Sequence, residues 1–136
     1  MSDEKQMRKV VLAIALATPF GIIAYGPEQA ITNQAHELAE CGVYYLIMAE
    51  CARNTDPESD LADNLENSAG WATENAVELS NFEVTEARVQ LAEKDLRSKM
   101  ENQCSNASIL INEYNDVCSQ AVQNPEARKQ YWLNKE

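Results

Sequence analysis

The chain has 136 residues and a net charge of −11, with 22 acidic residues against 11 Lys and Arg. This length fits one domain with a tail or an anchor. So few cations exclude nucleic-acid binding and a polybasic membrane patch, because both need a basic surface. The single histidine, His36, excludes a multi-histidine metal site. Four glycines and four prolines are too few for a many-stranded protein, so we expect an all-α fold.

Residues 1–26 have the layout of an export signal. Lys5, Arg8 and Lys9 precede an uncharged run over residues 10–26, and a basic start followed by an apolar run is typical of such signals. As a helix, this run would extend roughly 25 Å, slightly less than a hydrocarbon core of about 30 Å. Its Gly- and Ala-rich composition is similar to the signal-anchor-release segments of some phage lysis proteins.

Two fates of this segment stay open. The triplet Ala24-Tyr25-Gly26 suits a signal-peptidase site, but Pro27 directly after it would hinder cleavage and favours an uncleaved signal anchor. In both cases the flanking cations stay in the cytoplasm. We therefore expect residues 27–136 to form an exported domain, periplasmic or secreted, or anchored in the inner membrane with its C-terminus outside the cytoplasm.

Apolar residues recur at helical spacing through the whole exported part. We predict a first helix ending at Arg53 and a second one started by an Asp56 cap with Pro57 in its first turn. The Ser80-x-x-Glu83 pattern indicates a capping box or a bend in one continuous helix. The predicted elements are Pro27 to Arg53, a helix from Pro57 to the Ser80 joint, a long helix from Phe82 to Gln123 loosened at Cys104 to Asn106, and Pro125 to Leu133.

The four cysteines, Cys41, Cys51, Cys104 and Cys118, follow the export signal. In an oxidising compartment an even number of cysteines predicts disulfides, here two. Zinc is disfavoured because its ligands usually come in closely spaced Cys pairs. Free buried thiols would be expected if the chain stayed in the cytoplasm.

Two disulfide registers are possible. Ten residues of helix extend roughly 15 Å, so cysteines within one helix cannot bond, and each bond must join the first helix to the third. An antiparallel arrangement pairs Cys41 with Cys118 and Cys51 with Cys104. A parallel three-helix bundle pairs Cys41 with Cys104 and Cys51 with Cys118. Spacing alone leaves both open, although chain reach favours the antiparallel register if the middle stretch leaves and returns as one excursion. The predicted domain is therefore a disulfide-stapled helical hairpin or a three-to-four-helix bundle.

Three stretches carry a resemblance: residues 39–45 with Cys41 before Tyr44-Tyr45, residues 114–118 with Tyr114 before Cys118, and residues 124–128 followed by Tyr131-Trp132. They resemble a group of small exported helical proteins of bacteria and phages without an assigned function. The resemblance implies that Cys41 pairs with Cys118 and that Cys51 and Cys104 form an added bond. It implies no activity.

Aromatic residues are the candidate interface. Tyr44, Tyr131 and Trp132 could contact a partner, whereas Tyr45 is expected in the core. The alternative for the last two is that the final helix folds back onto the bundle. His36 is expected to be solvated beside Glu37 and Glu40, and we predict no catalytic, cofactor-binding or metal-binding residue.

These features predict a non-enzymatic exported envelope protein that acts by protein–protein binding and needs no cofactor. One concrete form is a phage-encoded lysis or exclusion factor. The alternative is a subunit of a membrane or virion assembly that retains residues 10–26 as a transmembrane helix. A small hydrolase is a third interpretation, and it would need a pocket with converging carboxylates. The expected partner is another envelope or virion protein, and membrane contact would be made through residues 10–26 if they are uncleaved.

Overall fold

A computed structural model describes residues 26–135. This part contains five α-helices, a 3₁₀ turn and no strand, which confirms the all-α prediction. The export segment, residues 1–26, lies outside the described residues except for Gly26. The helices are α1 (Pro27–Thr55), α2 (Asp60–Leu79), α3 (Phe82–Lys99), α4 (Ala107–Gln123) and α5 (Pro125–Asn134), and the 3₁₀ turn is Cys104–Asn106.

Helix α1 is the centre of the bundle. Pro27 lies in its first turn, as predicted, because proline lacks the N–H that a helix start leaves unpaired. Most residues from Gln34 to Ala49 are buried on every side of the helix rather than along one stripe. This stretch contains only Glu37 and Glu40 as charged residues besides His36. Such low charge is the sequence signal of a helix covered all round.

The predicted Asp56 cap of α2 is wrong. Ser59 caps this helix by accepting the Ala62 N–H at 3.3 Å, and the Asp56 carboxylate instead accepts the Glu58 N–H at 3.1 Å. An Asp side chain can close a local turn of this kind as readily as it caps a helix. The Asp56-Pro57 pair therefore forms the turn between the helices.

The joint between α2 and α3 lies where it was predicted, but Asn81 is the cap. Its side chain accepts the Val84 N–H at 2.8 Å. The Ser80 hydroxyl points back, donates to the Ala76 carbonyl at 2.7 Å and meets the Thr85 hydroxyl at 3.1 Å. The capping box predicted from Ser80 and Glu83 is not formed.

The long helix predicted from Phe82 to Gln123, loosened at Cys104 to Asn106, is two helices: the first ends at Lys99, and Cys104–Asn106 forms the 3₁₀ turn before the second. Glu101 and Asn102 adopt left-handed backbone angles, φ 52° and 55°. The Glu101 N–H donates to the Ser98 carbonyl at 3.0 Å, and the Asn102 N–H donates to the Arg97 carbonyl at 2.8 Å. These two bonds form a Schellman-type helix end, which usually uses glycine. The break reverses the chain, so that α4 returns along α1.

Side-chain contacts give the directions of the helices. Arg53 near the end of α1 binds Asp63 at the start of α2. Gly42 in the middle of α1 faces Thr73 in the second half of α2, so α2 is antiparallel to α1. Val89 in the first half of α3 lines the same cavity as Gly42, and Arg97 at the end of α3 binds Glu50 near the end of α1, so α3 runs parallel to α1. Disulfides join Cys41 to Cys118 and Cys51 to Cys104, the antiparallel register for α4.

The last helix, α5, folds back onto the start of α1. The Asn124 side chain caps it by accepting the Ala127 N–H at 3.2 Å, with Pro125 in the first turn, as the sequence predicts. The Gln34 amide of α1 donates to the Pro125 carbonyl at 2.9 Å.

None of the helices between residues 26 and 135 has the length and hydropathy to cross a bilayer.

Candidate functional site

A polar cleft of about 500 Å³ lies along the first half of α1, where α3, α4 and α5 converge on it. Its charged and aromatic lining comes from residues far apart in sequence. They are His36, Glu37, Glu40, Asp95, Lys99, Glu113, Tyr114, Arg128, Tyr131 and Trp132.

Lys99 neutralises the acidic side of this cleft. Its ammonium group lies 2.7 Å from the Glu113 carboxylate and 3.1 Å from that of Asp95, and it donates to the Tyr114 hydroxyl at 2.9 Å. The Glu113 and Tyr114 hydrogen bonds raise the pKa of Lys99 above its ordinary value. Both carboxylates therefore pair with Lys99, and the pair with Glu113 connects α3 to α4.

Tyr131 and Trp132 line the polar cleft with their rings edge to face and the ring centroids 5.1 Å apart. The Arg128 guanidinium covers the Tyr131 ring at 4.1 Å from its centroid, and the Lys135 ammonium covers the Trp132 ring at 4.6 Å. Tyr131 is 43% exposed and Trp132 is half-buried. The final helix thus folds back onto the bundle, and only Tyr131 of this pair presents a large surface to solvent.

Tyr44, a predicted interface residue, is largely buried, although it lines a second cavity described below. It is 3% exposed, and its ring stacks on that of Tyr114 with centroids 5.9 Å apart. Tyr45 lies in the core, as expected, with its ring 5.2 Å from that of Tyr44. Tyr44 faces inward because α4 covers this side of α1, a contact that the sequence around Tyr44 does not reveal.

His36 is half exposed, and its Nε2 lies 3.3 Å from a Glu40 carboxylate oxygen one helical turn on. Among residues 26–135, no three His, Cys, Asp or Glu side chains are grouped as metal ligands.

A second cavity, the apolar groove, lies along the last half of α1 between α2 and α4. Its volume is about 570 Å³, and no charged side chain lines it. Met48 and Leu65 lie in it, and Leu61 and Ile111 stand at its edges with 61% and 44% of their surfaces exposed. The lining residues are Tyr44, Met48, Cys51, Ala52, Thr55, Leu61, Leu65, Cys104, Ser105, Ala107, Ile111 and Asn115.

The two disulfides have different surroundings. Cys41 and Cys118 are fully buried, whereas Cys51 is half-buried and Cys104 is exposed at one end of the apolar groove. The Asn54 amide lies 3.7 Å from the Cys104 sulfur. This second bond ties the 3₁₀ turn before α4 to α1 and so keeps one wall of the groove in place.

The sequence prediction missed the apolar groove. Its signal was present as Leu61 and Leu65, which form an i,i+4 pair at the start of α2. Ile111, like these two leucines, belongs to the apolar residues at helical spacing, and this pattern does not show which of them are exposed. That Ile111 stands at a groove edge follows from the break after Lys99, which sets the rotation of α4.

No protein-family model, no curated protein and no solved structure matched the chain in comparisons with each of these sets.

Proposed function

We propose that the protein is a non-enzymatic exported envelope protein that acts by binding another protein. The observation that carries this proposal is the apolar groove, with large aliphatic side chains exposed at both of its edges. Exposing such side chains in water is unfavourable, and contiguous apolar surface is the usual mark of a binding site.

The two disulfides support export. Disulfides form and persist in oxidising compartments such as the bacterial periplasm or the extracellular space. The predicted leader, residues 1–26, would deliver the domain there, with the periplasm or the medium as its destination, or the inner membrane as its anchor. A phage-encoded lysis or exclusion factor remains the concrete form of the proposal. A membrane or virion assembly subunit that retains residues 10–26 is the alternative, and a small hydrolase is the minor one.

A photo-crosslinking experiment tests the proposal. A benzophenone amino acid is placed at Leu61 or Ile111 of the full chain, in the cells that naturally express it. We expect one light-dependent adduct with a specific protein from both positions. The matched control is Leu91 on α3, which is 70% exposed and does not line the groove. Equal adducts from all three positions, or none from the groove positions, would contradict the proposal.

A further inference from the structure

Positive charge is segregated in the described domain. Seven of its eight Lys and Arg residues lie on α3 and in the C-terminal segment, and Arg53 is the remaining one. The seven are Arg88, Lys94, Arg97, Lys99, Arg128, Lys129 and Lys135. The Arg53 guanidinium binds the carboxylates of Asp63 at 2.6 Å and Glu66 at 2.9 Å, so its charge is already compensated.

No Lys or Arg lines the apolar groove, and Arg53 and Arg97, the cations beside its α1 wall, are already paired with carboxylates. The stretch that leads into its α2 wall, residues 54–66, contains five acidic residues and no Lys or Arg, and two of the five, Asp63 and Glu66, are paired with Arg53. Residues 101–127, which include the 3₁₀ turn and its α4 wall, also contain acidic residues and no Lys or Arg. Three exposed acidic residues directly precede Leu61: Asp56 and Glu58 in the turn, and Asp60 at the start of α2. On α4, Asp116 is exposed next to Asn115 in the sequence. The groove thus has an uncharged floor and an acidic surround.

The shape and lining of the groove suit an α-helix. Walls built from two helices leave a channel into which the aliphatic ridge of a third helix can pack. Helices that bind in such grooves use apolar anchors at positions i, i+3, i+4 and i+7. An extended strand would need a free sheet edge, and residues 26–135 contain no strand.

We infer that the apolar groove binds an amphipathic helix of a partner protein that has an aliphatic face and a basic opposite face. This inference rests on the proposed protein-binding function and adds the chemistry of the partner. The aliphatic face fills the space between Leu61, Met48 and Ile111, and the basic residues meet the acidic surround. Complementary charge of this kind accelerates association and selects against acidic partners. A second copy of this chain is disfavoured as occupant, because it would bring a like-charged acidic surface against the groove.

The test uses a synthetic Leu/Lys peptide of about 18 residues, or five helical turns. Leu occupies one face and Lys the other, and binding to the oxidised full chain is measured by fluorescence anisotropy. Two control peptides have the same length: one is a scramble that destroys the apolar face, and one has Glu in place of Lys. We expect binding of the first peptide alone, with an affinity that falls as salt is raised.

Variants locate the binding surface. Leu61→Gln combined with Ile111→Gln should lower the affinity about tenfold or more, since the apolar anchors of an interface carry most of its binding energy. Leu91→Gln, at the exposed control position, should leave the affinity unchanged. Replacing Asp56, Glu58 and Asp116 by Asn, Gln and Asn should lower the affinity for the peptide and reduce its dependence on salt. The control variant Glu83→Gln with Glu86→Gln, on α3, should lower the affinity less. Circular dichroism and non-reducing peptide mapping check that each variant is folded and oxidised.

Equal binding of the scrambled peptide, or an equal loss in the Leu91 variant, would overturn the inference. Binding of the acidic peptide would overturn its charge component. Self-association that is lost in the Leu61/Ile111 variant would assign the groove to a second copy instead. If crosslinks form from the groove but the peptide does not bind, the partner chemistry is wrong while the proposed function stands. Peptide binding without any crosslinked partner would contradict the proposed function separately.

Discussion

The Arg128 guanidinium on α5 donates to both carboxylate oxygens of Glu37 on α1, across 91 residues of sequence, with an Nε to Oε1 distance of 2.8 Å. Both side chains are about nine-tenths buried. The pairing raises the pKa of Arg128 above its ordinary value. Removing either partner would leave a buried charge without compensation, so this pair holds the last helix in place.

We predict that Arg128→Ala lowers the free energy of unfolding by about 3–5 kcal/mol, the usual cost of stranding one member of a buried pair. Replacing both residues together, Glu37→Leu with Arg128→Leu, should cost much less, because no buried charge is left. Urea unfolding of the single and double variants measures both values. A double variant as unstable as Arg128→Ala would show that α5 depends on side-chain shape rather than on charge.

Gly42 allows α1 and α2 to approach closely. A Cβ at this position would overlap the Thr73 hydroxyl, which donates to the Ala69 carbonyl at 2.9 Å. We expect Gly42→Ala to destabilise the protein by about 1–2 kcal/mol, since overpacking outweighs the gain in helix propensity.

The same substitution in a Thr73→Ala background should instead stabilise by up to about 1 kcal/mol, because alanine is the better helix former. Thermal unfolding of the four proteins in this cycle isolates the overlap. A loss of stability in both backgrounds would place the constraint on the backbone of α2 rather than on Thr73.

The two disulfides should differ in reactivity and in contribution. A dithiol reaches the exposed Cys104 far more easily than the buried Cys41 and Cys118, so Cys51–Cys104 should be reduced first. Peptide mapping after timed reduction and alkylation measures this order. Reduction of both bonds at one rate would indicate that the whole bundle opens before either sulfur is attacked.

The bond between Cys41 and Cys118 closes the longer loop, with a sequence separation of 77 against 53. Removing both of its cysteines as alanines should cost about 4.5 kcal/mol in the chain-entropy account, and the corresponding change at Cys51 and Cys104 should cost slightly less, about 4 kcal/mol. Denaturant unfolding of the two paired variants compares them directly. The opposite order would mean that the disulfide at the 3₁₀ turn stabilises the fold more than the disulfide in α4 does.

Stability should fall at alkaline pH. Burial raises the pKa of Tyr44, Tyr45 and Tyr114, and hydrogen bonds, first to Glu113, raise that of Lys99. Unfolded tyrosines ionise near pH 10. Above about that pH the unfolded chain therefore holds fewer protons than the native one, and the free energy of unfolding decreases as the pH rises.

Urea unfolding at several pH values from about 9 to 11 measures this slope. Tyr44→Phe should flatten it, because it removes one buried hydroxyl. Tyr131→Phe, at a position that is 43% exposed, is the matched control. If both variants behave alike, the alkaline loss does not come from the buried tyrosine cluster.

The export prediction falls on residues outside the described part of the chain. Because Lys5, Arg8 and Lys9 precede the uncharged run, a reporter that is active only in the periplasm should work when fused after Glu136. Arg8→Glu combined with Lys9→Glu should lower its activity. Activity of a cytoplasmic reporter alone at that position would refute export.

Local sequence patterns were sufficient where a helix start depends on its own first turn. Pro27 and the Asn124-Pro125 pair were predictable because a missing N–H and a capping side chain act within a few residues. The small number of glycines and prolines, together with apolar residues at helical spacing, predicted the all-α class. The cysteine spacing also determined that any disulfide joins two helices, since it excludes bonds within one.

Tertiary packing decided the rest. The chain reverses after Lys99 at Glu101 and Asn102, without Gly or Pro, because α4 gains contact with α1 and a disulfide that outweigh two left-handed residues. That reversal buries Tyr44 under α4 and turns Ile111 toward the apolar groove. Glu37 and Arg128 can pair only because α4 runs back along α1 and places α5 beside the start of α1. Contacts between residues this distant in sequence leave no local pattern, so only the packed bundle determines which side chains form the candidate site.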